Sequence, residues 1–176
     1  MKKRTIVIGT LLVMGIAWCK DKMTTLIPFN KFTLEMKSDV TMYQKVQNND
    51  DINEAISNIY IPTNTSWTNK DSLIIGEVEL DKQLLLSTFV SQNREKINRE
   101  IPWYEKYKSK WITINCADKK IQGQLESITI KRNTGNNYLS QYFFIDNSTW
   151  YAISFFSENK DETNNFINSL KNITCN

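Results

Sequence analysis

Apolar and polar residues alternate with period two over residues 32–37 (FTLEMK), the pattern of a strand with one buried face. Residues 40–46 (VTMYQKV) alternate less regularly, and Ser38-Asp39 between them predicts a hairpin turn. Ile52, Ile56 and Ile59 recur at i, i+4 and i+7 after Asp50-Asp51, which predicts a short helix with acidic residues at its start. Residues 62–71 form a polar loop, and residues 73–80 (LIIGEVEL) a strand. Asp81 is placed to cap a helix reaching about Arg99, with Leu85, Phe89 and Ile97 on its apolar side and Pro102 beyond its end. A strand at 111–114 leads to Cys116, and strands at 121–132, 138–146 and 149–157 follow in a meander. The turns between the last three are rich in Asn, Gly, Asp and Ser. A closing helix at about 160–172 carries Phe166, Ile167, Leu170 and Ile173 on one side and Asp161 and Glu162 in its first turn. Strands in succession with helices flanking them predict an α+β domain, an antiparallel sheet covered by helices.

The N-terminus has a different texture. Lys2, Lys3 and Arg4 precede an uncharged, mostly apolar run at 5–18, after which Cys19 opens the charged stretch Lys20-Asp21-Lys22. A helix over that run is shorter than the roughly 30 Å hydrocarbon core of a bilayer, so the segment reads as a secretory signal rather than a membrane span. Ile16-Ala17-Trp18-Cys19 resembles the lipobox of bacterial lipoproteins. That resemblance implies acylation of Cys19, removal of residues 1–18 and anchoring to a membrane. Gly15-Ile16-Ala17 also fits small-x-small cleavage after Ala17, which releases a soluble chain, and both readings stand on the sequence. The expected organisation is therefore a signal peptide at 1–18, a tether at 19–31 and one α+β domain at 32–176.

Charge and cysteine content change the picture in the same direction. The chain has 22 Lys+Arg against 19 Asp+Glu, and removing Lys2, Lys3 and Arg4 leaves 19 against 19. A neutral mature chain lacks the basic surplus that nucleic-acid binding requires. With no histidine, Ser-His-Asp and Cys-His catalysis and His-ligated zinc are excluded. Three cysteines are an awkward number in an oxidising compartment, and a lipid on Cys19 leaves Cys116 and Cys175 to pair. That bridge closes a loop of about 60 residues, worth roughly 4 kcal/mol in the chain-entropy view.

Two features remain as candidate chemistry. Glu77 and Glu79 project from one face of a predicted strand, the minimum for a carboxylate hydrolase, although alternation alone accounts for them. No calcium loop and no glycine-rich phosphate cradle occurs, so neither a metal nor a cofactor is expected. Residues 101–111 (IPWYEKYKSKW) are the most unusual stretch: Trp103, Tyr107 and Trp111 recur at i, i+4 and i+8, with Tyr104 adjacent and lysines between. On a helix these aromatics form a stripe, which either packs on the sheet, dips into a lipid surface or binds a protein partner.

The order of elements over about residues 73–173 resembles that of the PsbP/Mog/DcrB superfamily. A strand enters a long helix, a strand carrying Ile121-Gln122-Gly123-Gln124 opens a meander, and a strand ending in aromatics (Trp150-Tyr151-Ala152-Ile153-Ser154-Phe155) precedes a terminal helix. The resemblance implies an α/β/α sandwich on an antiparallel sheet, and a function in binding proteins rather than in catalysis. The expectation from sequence is thus an exported, lipid-anchored, periplasm-facing module of the bacterial envelope. Its expected role is immunity against, or inhibition of, an incoming toxin or hydrolase, with an accessory subunit of an envelope complex as the alternative.

Overall fold

The computed structural model describes residues 23–38, 43–46, 56–62, 71–79 and 85–176. In chain order the strands and helices are β1 (Met23–Phe29), β2 (Phe32–Ser38), β3 (Tyr43–Val46), β4 (Ile56–Pro62), β5 (Ser72–Glu79), α1 (Leu86–Glu100), β6 (Tyr104–Asn115), β7 (Lys120–Arg132), β8 (Gly135–Asp146), β9 (Thr149–Ser157), α2 (Lys160–Ser169) and β10 (Thr174–Cys175). One 3-10 turn, Leu170–Asn172, joins α2 to β10. A seven-stranded sheet runs β3-β4-β5-β9-β8-β7-β6, and a three-stranded sheet runs β1-β2-β10. All pairings are antiparallel, so the α+β expectation holds.

The hairpin turns follow from residue type. Arg132 pairs with Gly135 across Asn133-Thr134, and Asp146 pairs with Thr149 across Asn147-Ser148. Asn147 has φ 54°, and Asn30 in the β1–β2 turn has φ 48°; asparagine tolerates this left-handed region because its side chain bonds locally. Gly135 has φ 138°, where a Cβ is strained.

Alternation along β9 sends Tyr151, Ile153 and Phe155 to one face and Trp150, Ala152 and Phe156 to the other. The two helices use opposite faces. Phe166 of α2 stacks on Phe155 with centroids 5.0 Å apart, whereas Phe89 of α1 meets Phe143 and Trp150 edge-on at 5.2 and 4.3 Å. The small sheet shares the α2 face: Phe32 is fully buried, with edge contacts to Phe144 and Tyr151 at 5.2 Å each. Most of the core lies here, between the large sheet, α2 and the β1–β2 hairpin. The α1 face holds a smaller cluster of Ile97, Ile128 and Ile130 with Tyr104, Tyr107 and Phe156 around it.

Three expectations need correction. The tether at 19–31 is strand from Met23 onward, and Ile27 and Phe29 are core residues; residues 19–22 lie outside the described residues. Pro28 is accommodated because β1 is an edge strand. Asp39 of the hairpin turn expected at Ser38-Asp39 lies outside the described residues, and the described strands on either side do not pair as a hairpin: β2 pairs with β1 and β10, and β3 with β4 in the other sheet. Ile56 and Ile59 belong to β4, not to a helix. Isoleucine is also a β-branched strand former, and pairing on both sides decides the matter for these two, while Ile52 lies outside the described residues. The predicted cap Asp81 lies outside the described residues; α1 begins after Leu85, with no side-chain cap bond. The closing helix matches its prediction, with the Asn159 carboxamide oxygen accepting from the backbone N–H of Asp161 and Glu162.

Candidate functional site

The aromatic segment is not helical. Apart from Trp103, which sits in the turn before it, the segment lies in β6, a strand that pairs with β7 from end to end. Period two then splits what helical spacing had united. Tyr107, Ser109 and Trp111 share the α1 face, while Lys108, Lys110, Ile112 and Ile114 take the α2 face. A register shift between Tyr104 and Lys106 places Tyr104 opposite Ile130 and Tyr107 opposite Ile128, so both tyrosines reach the α1 cluster. Tyr104 donates its hydroxyl to Asn98 Oδ1 at 2.9 Å. Trp103 and Trp111 stand in solvent, 61% and 60% exposed. Of the four predicted binding residues, two tyrosines therefore pack α1 onto the sheet and two tryptophans are surface.

Beneath α1 lies a polar core. The Arg94 guanidinium stacks over the Tyr107 ring, 4.7 Å from its centroid, donates from Nε to the Tyr107 hydroxyl at 2.8 Å, and meets Glu126 Oε2 at 3.1 Å. Gln124 Nε2 donates to Glu126 Oε1 at 2.7 Å, and Asn93 donates to Gln141, which donates to Ser154. Burial pushes the Glu126 carboxyl above the usual carboxylate range, and Arg94 pulls it only part of the way back. This network anchors a helix whose exposed faces are strongly polar.

On the opposite face the structure forms a groove of about 900 Å³ between α2 and the β6–β8 end of the large sheet. Lys160, Thr163, Asn164, Ile167 and Asn168 line its helical wall, at the spacing of one helix face. Ser127 and Ser140, bonded to each other at 2.9 Å, lie among the sheet residues that line it, and Lys108 and Lys110 rise beside them. Glu105 at the rim is taken by Lys131 at 3.1 Å. Lys108, Lys110 and Lys160 make no ion pair among the described residues. The groove is thus lined by hydroxyls, amides, the apolar Leu125, Ile128 and Ile167, and three ammonium groups without an ion pair among the described residues, a surface that can take anionic groups beside apolar ones. Sequence reasoning noted these lysines but could not set them against α2, since the segment was read with the wrong period.

The other end of the sheet is closed. Cys116 and Cys175 are bonded as a disulfide with Cα atoms 5.4 Å apart, joining the turn after β6 to β10. The Asp146 carboxylate, 4% exposed, bonds Lys119 of the β6–β7 turn and Lys31 of the β1–β2 turn. Burial alone pushes this carboxyl up, but the hydrogen bonds and charges of Lys119 and Lys31 outweigh it and hold it below its ordinary value. Asn176 N–H donates to the Lys31 carbonyl at 2.7 Å.

Glu77 is half-buried and Glu79 exposed, opposite Tyr151 and Thr149. Neither lines the groove. Among the described residues no cluster of His, Cys, Asp and Glu is placed to hold a metal ion, and no helix is long and apolar enough to cross a membrane. Cys19 lies outside the described residues.

No protein-family model and no curated protein matches this chain. Among solved structures it is similar to a protein of unknown function from Pseudomonas aeruginosa, with 15% identity over 85% of this chain and 92% of the other and a TM-score of 0.49.

Proposed function

We propose that this protein is exported, anchored to a membrane of the bacterial envelope through lipid on Cys19, and works there as a non-catalytic protein-binding module. In its most specific form it is an immunity or inhibitor protein that blocks a toxin or hydrolase in the periplasm, on a PsbP/Mog-like α/β/α scaffold. The observation that carries the binding role is the open end of β6. There, Trp103 in the preceding turn and Trp111 on the α1 face are solvent-facing, and on the opposite face Lys108, Lys110 and Lys160 line the groove without an ion pair among the described residues. Tryptophan is the residue most enriched at binding hot spots, since it removes a large area from water with few rotors. The disulfide supports export, because such bridges persist in oxidising compartments.

Two measurements test this reading. The intact mass of the protein from envelope membranes should correspond to a chain beginning at a diacylated or triacylated Cys19 with Cys116 and Cys175 oxidised. A chain that begins at Met1 with free thiols overturns export. A photocrosslinker at position 103 should capture one specific envelope protein or incoming toxin. Its loss on Trp111→Ala, with an unchanged melting temperature, places the contact on this surface.

A further inference from the structure

We propose that the β6 edge takes an extended acidic segment of the protein partner as an added strand, its carboxylates directed into the lysine groove. The inference rests on the protein-binding reading above and names the partner chemistry of the same surface.

The first ground is topological. β6 is twelve residues long and terminates the seven-stranded sheet, with β7 as its only strand neighbour among the described residues. Its outer row of backbone N–H and C=O groups is a template for another strand. The cover over β6 comes at its far end, where Ile112 and Ile114 join the core beneath the Leu170–Asn172 turn and β10. The stretch from Lys108 to Trp111 has groove on one face and, at Trp111, solvent on the other.

The second ground is charge. Lysines at alternate positions of an edge strand discourage pairing with a second copy of the same edge, because like charges then face each other. The same lysines favour a strand with carboxylates at those positions. Lys160, on α2 across the groove, adds a third cation to the same space, and Glu105, the one acid of the lining, is already neutralised by Lys131.

The third ground is periodicity. A strand added about 4.8 Å outside β6 sends successive side chains to opposite faces. One set enters the groove beside Lys108, Lys110 and the hydroxyls of Ser127 and Thr129. The alternate set falls on the α1 face beside Trp111, where an apolar side chain covers the exposed indole. The recognised segment therefore alternates acidic and apolar residues. Main-chain bonds supply affinity, and the two rows of side chains supply selectivity.

The test uses the mature full-length protein and three fluorescein-labelled synthetic peptides: glutamate alternating with valine, the same sequence N-methylated at alternate residues, and lysine alternating with valine. Anisotropy should show saturable, salt-sensitive binding of the first alone. The Lys108→Glu/Lys110→Glu variant should weaken it about tenfold or more with an unchanged circular dichroism spectrum. Should that variant fail to fold, Lys160→Glu on the α2 flank provides the same readout. Equal affinity for the N-methylated peptide overturns strand addition, because charge alone then explains binding. Absence of saturable binding, or indifference to the lysine reversals, also overturns it. If the position-103 crosslinker still captures a partner in those cases, the binding module stands and its assignment to the β6 edge falls.

Discussion

The two ends of the large sheet are built on opposite logic. At one end the β1–β2, β6–β7 and β8–β9 turns converge on Asp146, its two lysines, the Cys116–Cys175 bridge and the Lys31–Asn176 bond. There Asp146, Lys31 and Lys119 compensate one another. At the other end, among the described residues, Lys108, Lys110 and Lys160 line a groove without ion-pair partners, Trp103 and Trp111 face water, and the outer edge of β6 has no strand beside it. The same strand passes through both. Ile112 and Ile114 bind β6 to the core while Lys108 and Lys110, on the same face, line open space. A rigid closed end holds an open end in shape, which suits a surface that must be presented to a partner without rearranging.

This contrast can be broken from the closed end first. Replacing Cys116 and Cys175 by serine removes a crosslink spanning 59 positions and should cost about 4 kcal/mol, read as a lower denaturation midpoint in guanidinium. A loss near zero means that the turn clamps alone hold that end. Between the two ends, Gly123→Ala places a methyl group 2.4 Å from the Tyr142 ring. That ring is fully buried and its hydroxyl donates to the Ile112 carbonyl at 3.1 Å. With no room to yield, the variant should lose about 2 kcal/mol, measured by the same titration.

Two of the buried carboxylates, Glu126 and Asp146, sharpen the comparison through pH, with opposite signs. Glu126 has a raised pKa, so the folded chain holds its proton more tightly than the unfolded chain. Its contribution should therefore increase as pH falls through that raised pKa toward the ordinary 4.5. Asp146 has a lowered pKa; its contribution is present above the ordinary 3.8 and lost as pH falls below it. Glu126→Gln should flatten the first arm of a stability–pH curve and Asp146→Asn the second. A curve unaltered by Glu126→Gln refutes the buried-carboxylate reading. The smallest effect belongs to the open end: Trp103→Ala should change stability by less than about 0.5 kcal/mol. A larger loss places Trp103 in a packed environment and removes it from the binding surface.

What sequence showed and missed divides along physical lines. From β7 to α2, turns built of Asn, Gly and Ser and strands closed by neighbours in sequence place local propensity and tertiary structure in agreement. The helical reading of Ile56 and Ile59 failed because two β-branched residues three apart do not fix a period, and long-range pairing of β4 with β3 and β5 decided it. The tether reading of Met23–Phe29 failed because a proline and an adjoining leader outweighed the pattern of Ile27 and Phe29, and Phe29 is held by packing against Phe32 and the distant Tyr151. In residues 103–111 the unusual composition was visible, but the period was not.

Residue types alone determined the α+β class, the turns of the meander and the terminal helix with its acidic first turn. Only the tertiary structure decided that β1 joins the domain, that Tyr107 turns inward while Trp111 remains outside, and that Lys108, Lys110 and Lys160 line one groove. The reason is that face, register and edge are relations between segments. An alternating sequence states that its two sides differ, while its neighbours in space determine which side is covered and which edge stays open.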